Sequence, residues 1–226
     1  MSNACRLLYG RHMESRHFSV LDRLVQGIDQ ALHTVLGPVS TQGLASPAAG
    51  TAEQNLDAAE RLLAGRLMRV NHAGEIAAQA LYQGQALSAR LPGVREKMEQ
   101  AAHEENDHLR WTEERARELG AHTSYLAPLW YAGSFAIGAL AGAAGDRWSL
   151  GFVAETEHQV IAHIDSHLSR LPRSDDKSRA VLEQMRADES RHATVAIEAG
   201  AADLPAPIRH LMTAVSRFMT QTAFWI

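Results

Sequence analysis

Cysteine is all but missing from this 226-residue chain, which carries only Cys5. A lone thiol excludes an intramolecular disulfide and any zinc or iron–sulfur site built on cysteine. Aromatic residues make up only 6%. No G-x-G-x-x-G follows a strand-like run, so neither a dinucleotide nor a flavin fingerprint is present. Positive charge is not in excess: 22 Lys and Arg stand against 26 Asp and Glu, a formal net charge of −4. That balance gives no reason to expect nucleic acid as a partner. Residues 1–18 lack the continuous apolar stretch of a secretory signal, and Arg6, Arg11 and Arg16 are opposed there only by Glu14. The segment reads as a weak mitochondrial-type address or as an upstream start ahead of Met13, and is given no structural weight.

With 46% hydrophobic residues the chain has material for a large core without staples. Its pattern is helical. Val20, Leu21, Leu24, Val25, Ile28, Leu32 and Val35 recur every three to four residues, predicting an amphipathic helix over 19–36. Gly37-Pro38 stops it, and 37–52 reads as a Gly/Pro/Ser/Thr/Ala linker. Residues 1–52 are therefore set apart from a helical domain over 53–226. Within that domain Asn55 or Asp57 caps a helix running to about Arg90, and Pro92 opens another that Gly120 closes. Asp146 starts a third, ended before Pro172; Ser174 caps a fourth, ended at Gly200; a last one follows Pro207. Sustained β-branched alternation is absent, so the fold class is all-α.

Between Glu118 and Asp146 there is no Asp, Glu, Lys or Arg. The apolar part, 126–145, is long enough to raise the question of a membrane span, but Pro128, several glycines and much alanine weaken that reading. The alternatives are a buried core helix and an apolar face laid on a membrane or partner. The Gly138/Gly142 spacing carries little weight in so small-residue-rich a run.

Twelve histidines against four tyrosines and five phenylalanines point to ligation. On a helix, residues three apart share a face, so Glu-x-x-His can offer a carboxylate and an imidazole to one cation. Sixteen glutamates and twelve histidines produce roughly one such pair by chance, so the motif alone is weak. Four occur: Glu14/His17, Glu105/His108, Glu155/His158 and Glu189/His192. Spacing separates them. Glu75 precedes Glu105 by 105 − 75 = 30 residues, and Glu157 precedes Glu189 by 189 − 157 = 32. Antiparallel helices joined by short turns bring such positions to one level. Two-metal four-helix bundles use a Glu from each of two helices and Glu-x-x-His from the other two. Glu75, Glu105, His108, Glu157, Glu189 and His192 fit that set. Glu155 and Glu157 cannot both face inward, and the more even spacing favours Glu157. Four core glutamates cost several kcal/mol each if ionised and unpaired, whereas two divalent cations cancel their charge. An oxygen-rich set without thiolate suits iron or manganese better than structural zinc. Asp188 and Glu104 are candidates to accept the outer N–H of a ligating histidine. His72, His158, His163 and His167 lie near in sequence and read as packing or surface histidines.

The strings Asn71-His72-Ala73-Gly74-Glu75, His103-Glu104-Glu105-Asn106-Asp107-His108, Val153-Ala154-Glu155-Thr156-Glu157-His158 and Asp188-Glu189-Ser190-Arg191-His192 resemble the demethoxyubiquinone hydroxylase family. That family is a membrane-associated branch of the ferritin-like di-iron proteins, and the likeness covers roughly 55–226. It implies a ferritin-like four-helix bundle with extra N-terminal, membrane-facing and C-terminal helices. It places two Fe ions on Glu75, Glu105, His108, Glu157, Glu189 and His192. His163 matches a family histidine six residues beyond the third-helix Glu; Ile164 departs from the aromatic residue of mitochondrial members, so no tyrosine role transfers. The implied reaction is O2-dependent hydroxylation of a polyprenyl benzoquinol ring. The implied setting is the cytoplasmic face of a bacterial inner membrane, with residues 121–145 dipping an apolar face into the bilayer. Electrons would come from a separate reductase, from NADH or from the quinol itself, and the implied partners are a reductase or other proteins of quinone biosynthesis. Competing readings are a ferroxidase, a di-manganese catalase and a non-catalytic membrane-associated helical scaffold.

Overall fold

The computed structural model describes residues 27, 29–35, 37, 43–53 and 55–226. Most of the expected 19–36 helix, the Glu14/His17 pair and Cys5 lie outside them. Six helices follow in order: α1 (Ala58–Ser88), α2 (Pro92–Glu118), α3 (Ala127–Ala143), α4 (Asp146–Arg170), α5 (Asp176–Glu198) and α6 (Ala206–Trp225). Residues 29–35 are also helical, and no strand occurs among the described residues.

Local chemistry sets the boundaries. Asp57, not Asn55, caps α1 in a reciprocal box: its carboxylate accepts from Glu60 N at 2.8 Å, and Glu60 accepts from Asp57 N at 3.0 Å. Pro92 opens α2, and Gly120 ends it at φ +74°, a conformation costly for any residue with a Cβ. Asp146 begins α4, and its side chain reaches back to the α1–α2 turn, accepting from Arg90 N at 3.0 Å and Leu91 N at 2.9 Å. The expected Ser174 cap of α5 is corrected to Asp175, which accepts from Ser178 N at 3.0 Å. Asp175 prevails because its carboxylate is buried against Arg115 as well, at 2.8 Å. Helix α6 starts at Ala206, about two residues earlier than expected, with Pro205 as its cap and Pro207 inside its first turn.

Helices α1, α2, α4 and α5 form a four-helix bundle. Two apolar clusters fill it, and both draw on all four helices. One joins Leu67, Met68, Trp111, Ile164, Leu182 and Met185; the other joins Tyr82, Met98, Leu150, Val153 and Ala196. Each fully buried leucine or methionine contributes about 1.5–3 kcal/mol. The stretch between the clusters along the bundle holds the polar residues described below.

Helix α3 lies against α1. Gly138 and Gly84 face across this crossing: a Cβ at Gly84 would collide with the Phe135 carbonyl, and one at Gly138 with the Leu81 carbonyl. The Gly138 of the small-residue spacing therefore does have a packing role. Ala127, Trp130, Tyr131, Gly138 and Gly142 are buried, whereas Leu129, Ile137 and Leu140 are exposed. The 126–145 run is thus half core and half surface. No helix among the described residues is long and apolar enough to cross a membrane. At about 1.5 Å per residue, 17 residues span some 25 Å, short of the ~30 Å hydrocarbon layer. Part of the expected 37–52 linker is held down: Leu44 N donates to Asp107 at 3.1 Å and Trp111 donates to Leu44 O at 3.2 Å; just beyond it, Glu53 pairs with Arg115 at 2.8 Å.

Candidate metal centre

Each bundle helix contributes to one buried polar layer: Glu75 from α1, Glu105 and His108 from α2, Glu157 from α4, Glu189 and His192 from α5. None is more than 8% exposed. Ligand atoms of Glu75, Glu105, His108 and Glu189 lie within 4.8 Å of one another, and so do those of Glu105, Glu157, Glu189 and His192. Glu105 and Glu189 belong to both groups, so two cations placed here would share them. His108 Nδ1 stands 3.1 Å from Glu105 and from Glu189, and 3.5 Å from Glu75. His192 Nδ1 stands 3.1 Å from Glu189 and 3.5 Å from Glu105. All six residues singled out by spacing meet here.

Of the two adjacent candidates on α4, Glu157 is fully buried, while Glu155 is half-buried and accepts from Gln159 at 2.7 Å. His158 is exposed, so Glu155/His158 has no part in the layer. Both Glu157 oxygens and Glu105 Oε1 are buried without a hydrogen-bond partner. Orphaned carboxylate oxygens of this kind, opposite imidazole nitrogens, fit an oxygen-preferring divalent cation.

Protonation follows from the crowding. Burial, then the charge of Glu105, pushes Glu75 well above the usual carboxylate range. Burial and the charge of Glu189 do the same to Glu157. Burial also works against the charges of Glu105 and the imidazoles, but proximity wins: His108 holds Glu105 low, Glu105 lifts His108 well above its ordinary value, and hydrogen bonds to Glu105 and Glu189 lift His192 to about 12. Protons on Glu75, Glu157, His108 and His192 offset the four carboxylates when no cation does. Two divalent cations would replace those four positive charges.

Both imidazoles turn Nε2 outward to a carboxylate on the opposite helix. His108 donates to Asp188 Oδ2 at 3.1 Å, and His192 donates to Glu104 Oε2 at 2.7 Å. These are the two carboxylates that sequence position suggested. Outside the layer, His72 is buried with Nδ1 unpartnered, and burial lowers it to about 4. The His163 and His167 rings stand 3.9 Å apart, and Asn71 Nδ2 donates to His167 Nδ1 at 3.0 Å. Neither ring joins a ligand group. Sequence reasoning passed over Arg191 and Asn71; the i, i+3 spacing of Asp188 and Arg191 was the available signal.

Two cavities approach the layer. One of about 40 Å³ reaches Glu75 between Asn71, Gln159 and His163, and Ser216, Met219 and Thr220 of α6 wall it off. The other, about 230 Å³, reaches His192 past Tyr82, Met98 and Val195, with Lys97 and Arg191 among its polar residues.

Comparison with known proteins bears on this arrangement. A family model described as ubiquinone biosynthesis protein COQ7 matches residues 63–223. A protein of Nitrosococcus oceani named 3-demethoxyubiquinol 3-hydroxylase is 63% identical over 214 residues, covering 95% of this chain and all of that protein. Proteins of the same name from Nitrosospira multiformis and Stutzerimonas stutzeri are each 54% identical, covering 91% and 93% of this chain and 99% and 98% of their own lengths.

Proposed function

The chain belongs to the COQ7 family of ubiquinone-biosynthesis proteins, and from that premise we propose that it is a 3-demethoxyubiquinol 3-hydroxylase. It is an oxidoreductase that inserts one oxygen atom at an unsubstituted ring carbon of a polyprenyl benzoquinol. The observation that carries the di-iron reading is the pair of buried ligand groups sharing Glu105 and Glu189.

Glu75, Glu105 and His108 would hold one iron with Glu189, and Glu157 and His192 the other with the shared pair. When bound, the irons supply reductive activation of O2. The balance is ring C–H plus O2, two electrons and two protons, giving ring C–OH and water. The chain's own residues do the rest. Asp188 and Glu104 fix the two imidazoles with Nδ1 inward. The apolar clusters above and below keep water from the layer along the bundle axis. At about 40 Å³ the cavity ending at Glu75 is too small for a quinol ring as it stands, so an approach beside α6 requires Ser216, Met219 and Thr220 to give way. Electrons come from a reductase, from NADH or from the quinol.

A substrate with an isoprenoid tail calls for a membrane surface. Two faces suit it: Leu129, Ile137 and Leu140 on α3, and Ile208, Leu211, Val215, Phe218 and Trp225 on α6, all exposed. Contiguous apolar residues of this kind mark interaction sites. Together with the absence of a crossing helix among the described residues, they support peripheral attachment, here assigned to the cytoplasmic face of a bacterial inner membrane.

The test is metal analysis joined to turnover. Purified protein is expected to hold about two irons per chain, by the ligand count of such bundles. Glu105→Ala should lose hydroxylation of demethoxyubiquinol while keeping its helical circular dichroism. Full activity in that variant, or stoichiometric manganese in place of iron, overturns the assignment.

A further inference from the structure

Asp188 and Glu104 do more than meet the two imidazoles: they share a cation. Arg191 Nη1 donates to Asp188 Oδ1 at 2.7 Å, and Arg191 Nη2 lies 3.3 Å from Glu104 Oε2. A single guanidinium thus spans α5 and α2 and touches the outer partner of both histidines. The contacts run unbroken from one imidazole to the other: His108, Asp188, Arg191, Glu104, His192. We propose that Arg191 is a positioning residue for both metal-facing imidazoles, acting through Asp188 and Glu104. The inference rests on the di-metal reading above.

The internal likeness of the two Glu-x-x-His helices shows that this bracket is not a by-product of repetition. Aligning Glu105/His108 with Glu189/His192 sets Glu104 against Asp188, and Asp107 against Arg191. Asp107 turns elsewhere, accepting from Leu44 N and Arg110 Nη2 at 3.1 and 3.0 Å. One half therefore carries the cation for both.

The carboxylates need it unequally. Asp188 is short, 11% exposed, and also accepts from Gln184 at 3.1 Å. Glu104 is 32% exposed, and its other hydrogen-bond contact is Gln100, four residues away on the same helix at 3.0 Å. A long, partly solvated glutamate holds an imidazole in one orientation only if its own torsions are fixed. The planar fork of an arginine can do this from across the helix pair, whereas a lysine ammonium reaches one carboxylate as a point charge. Arg191 is itself 55% exposed. As an ion pair for stability alone, such a residue contributes little. An effect on the centre is therefore separable from an effect on the fold.

The experiment is Co²⁺ titration of the full-length, metal-free protein, read by visible absorption, alongside thermal melts of the metal-free form. Wild type should take up two Co²⁺ per chain. Arg191→Met should weaken uptake about 10-fold or more and shift the absorption bands, the scale on which outer partners of metal-bound histidine act. Its metal-free melting temperature should stay with wild type. Arg191→Lys should fall between. Because Arg191 acts through its carboxylates, adding Arg191→Met to Glu104→Gln/Asp188→Asn should cost less than about 2-fold further, the signature of coupled residues; should that background not fold, Glu104→Gln alone serves, where Arg191→Met should cost less than it does in wild type, the Asp188 contact alone remaining to lose. Wild-type affinity and an unchanged spectrum in Arg191→Met overturn the proposal, as does a full additional loss in the carboxylate-substituted background. Failure of wild type to bind Co²⁺ at all would instead bring down the di-metal reading itself.

Discussion

His108 on α2 donates its Nε2 hydrogen to Asp188 on α5 across 3.1 Å, and His192 on α5 returns the arrangement to Glu104 on α2. The exchange fixes which ring nitrogen faces the carboxylate layer. It also locks the two Glu-x-x-His helices in register, so that the shared positions of Glu105 and Glu189 follow from the same contacts.

Sharing makes the four glutamates unequal. Glu75→Gln and Glu157→Gln each touch one ligand group, whereas Glu105→Gln and Glu189→Gln touch both. The first two should retain about one metal per chain and the second two almost none, given a two-metal wild type. Elemental analysis of the four purified variants checks the ranking; equal losses across all four would refute the sharing.

Metal uptake should release protons. Glu75, Glu157, His108 and His192 all have raised pKa values, so the metal-free layer holds protons that a cation displaces. Affinity for Fe²⁺ should therefore rise steeply between pH 6 and 8, measured by anaerobic calorimetry in buffers of different ionisation heat. The stability sign agrees. Groups raised on folding stabilise fully below their unfolded values, 4.5 for Glu and 6.5 for His, and lose that contribution as pH climbs toward their folded values. The chelated protein should lose stability on the alkaline side, and the loaded protein much less; chemical denaturation at pH 7 and 9 decides.

Acid acts through a different residue. His72 is 6% exposed, and burial lowers it from 6.5 to about 4. A group depressed on folding costs nothing above its unfolded value. Stability then falls as pH drops from about 6.5 to about 4, and levels off below. The loss from this residue is about 3 kcal/mol at most. Burial lowers His163 and His167 as well, so His72→Gln should reduce the slope of that part of the curve without abolishing it, in urea titrations between pH 7 and 4.5.

The α1–α3 crossing depends on two missing side chains. Gly84→Ala or Gly138→Ala would press a methyl onto the opposing carbonyls. Either should destabilise by about 1–3 kcal/mol, as overpacking does, and the double substitution should free α3 to limited proteolysis. The readout is the denaturant midpoint together with the pattern of cleavage.

Replacing exposed apolar residues tests the surface. Leu140→Glu with Phe218→Glu should leave the melting temperature near wild type, because both side chains are over 60% exposed. Sedimentation with vesicles should show the loss of binding. Binding equal to wild type would remove α3 and α6 from the attachment.

Much of this was legible in the sequence because it rests on local rules. Helix ends followed from Pro92 and Gly120, and the first cap was narrowed to Asn55 or Asp57, since caps and breakers act within a turn. The six ligand candidates followed from two short-range facts: a helix repeats every three to four residues, and a short turn folds one helix back beside the next. What the sequence by itself determined, then, was the set of helices and the chemical type of the residues on their inner faces. It could not rank Glu155 against Glu157 with force, because their difference is a rotation of α4 fixed by packing on α5. Nor could it tell that Asp175 outcompetes Ser174, a choice that depends on Arg115 from a distant helix. The tertiary structure alone decided which face of α3 stays exposed, which two glutamates are common to both ligand groups, and that Arg191 bridges two helices. Each of these is a distance between residues far apart in the chain, set by how the apolar clusters lock four helices together, and no local periodicity encodes it.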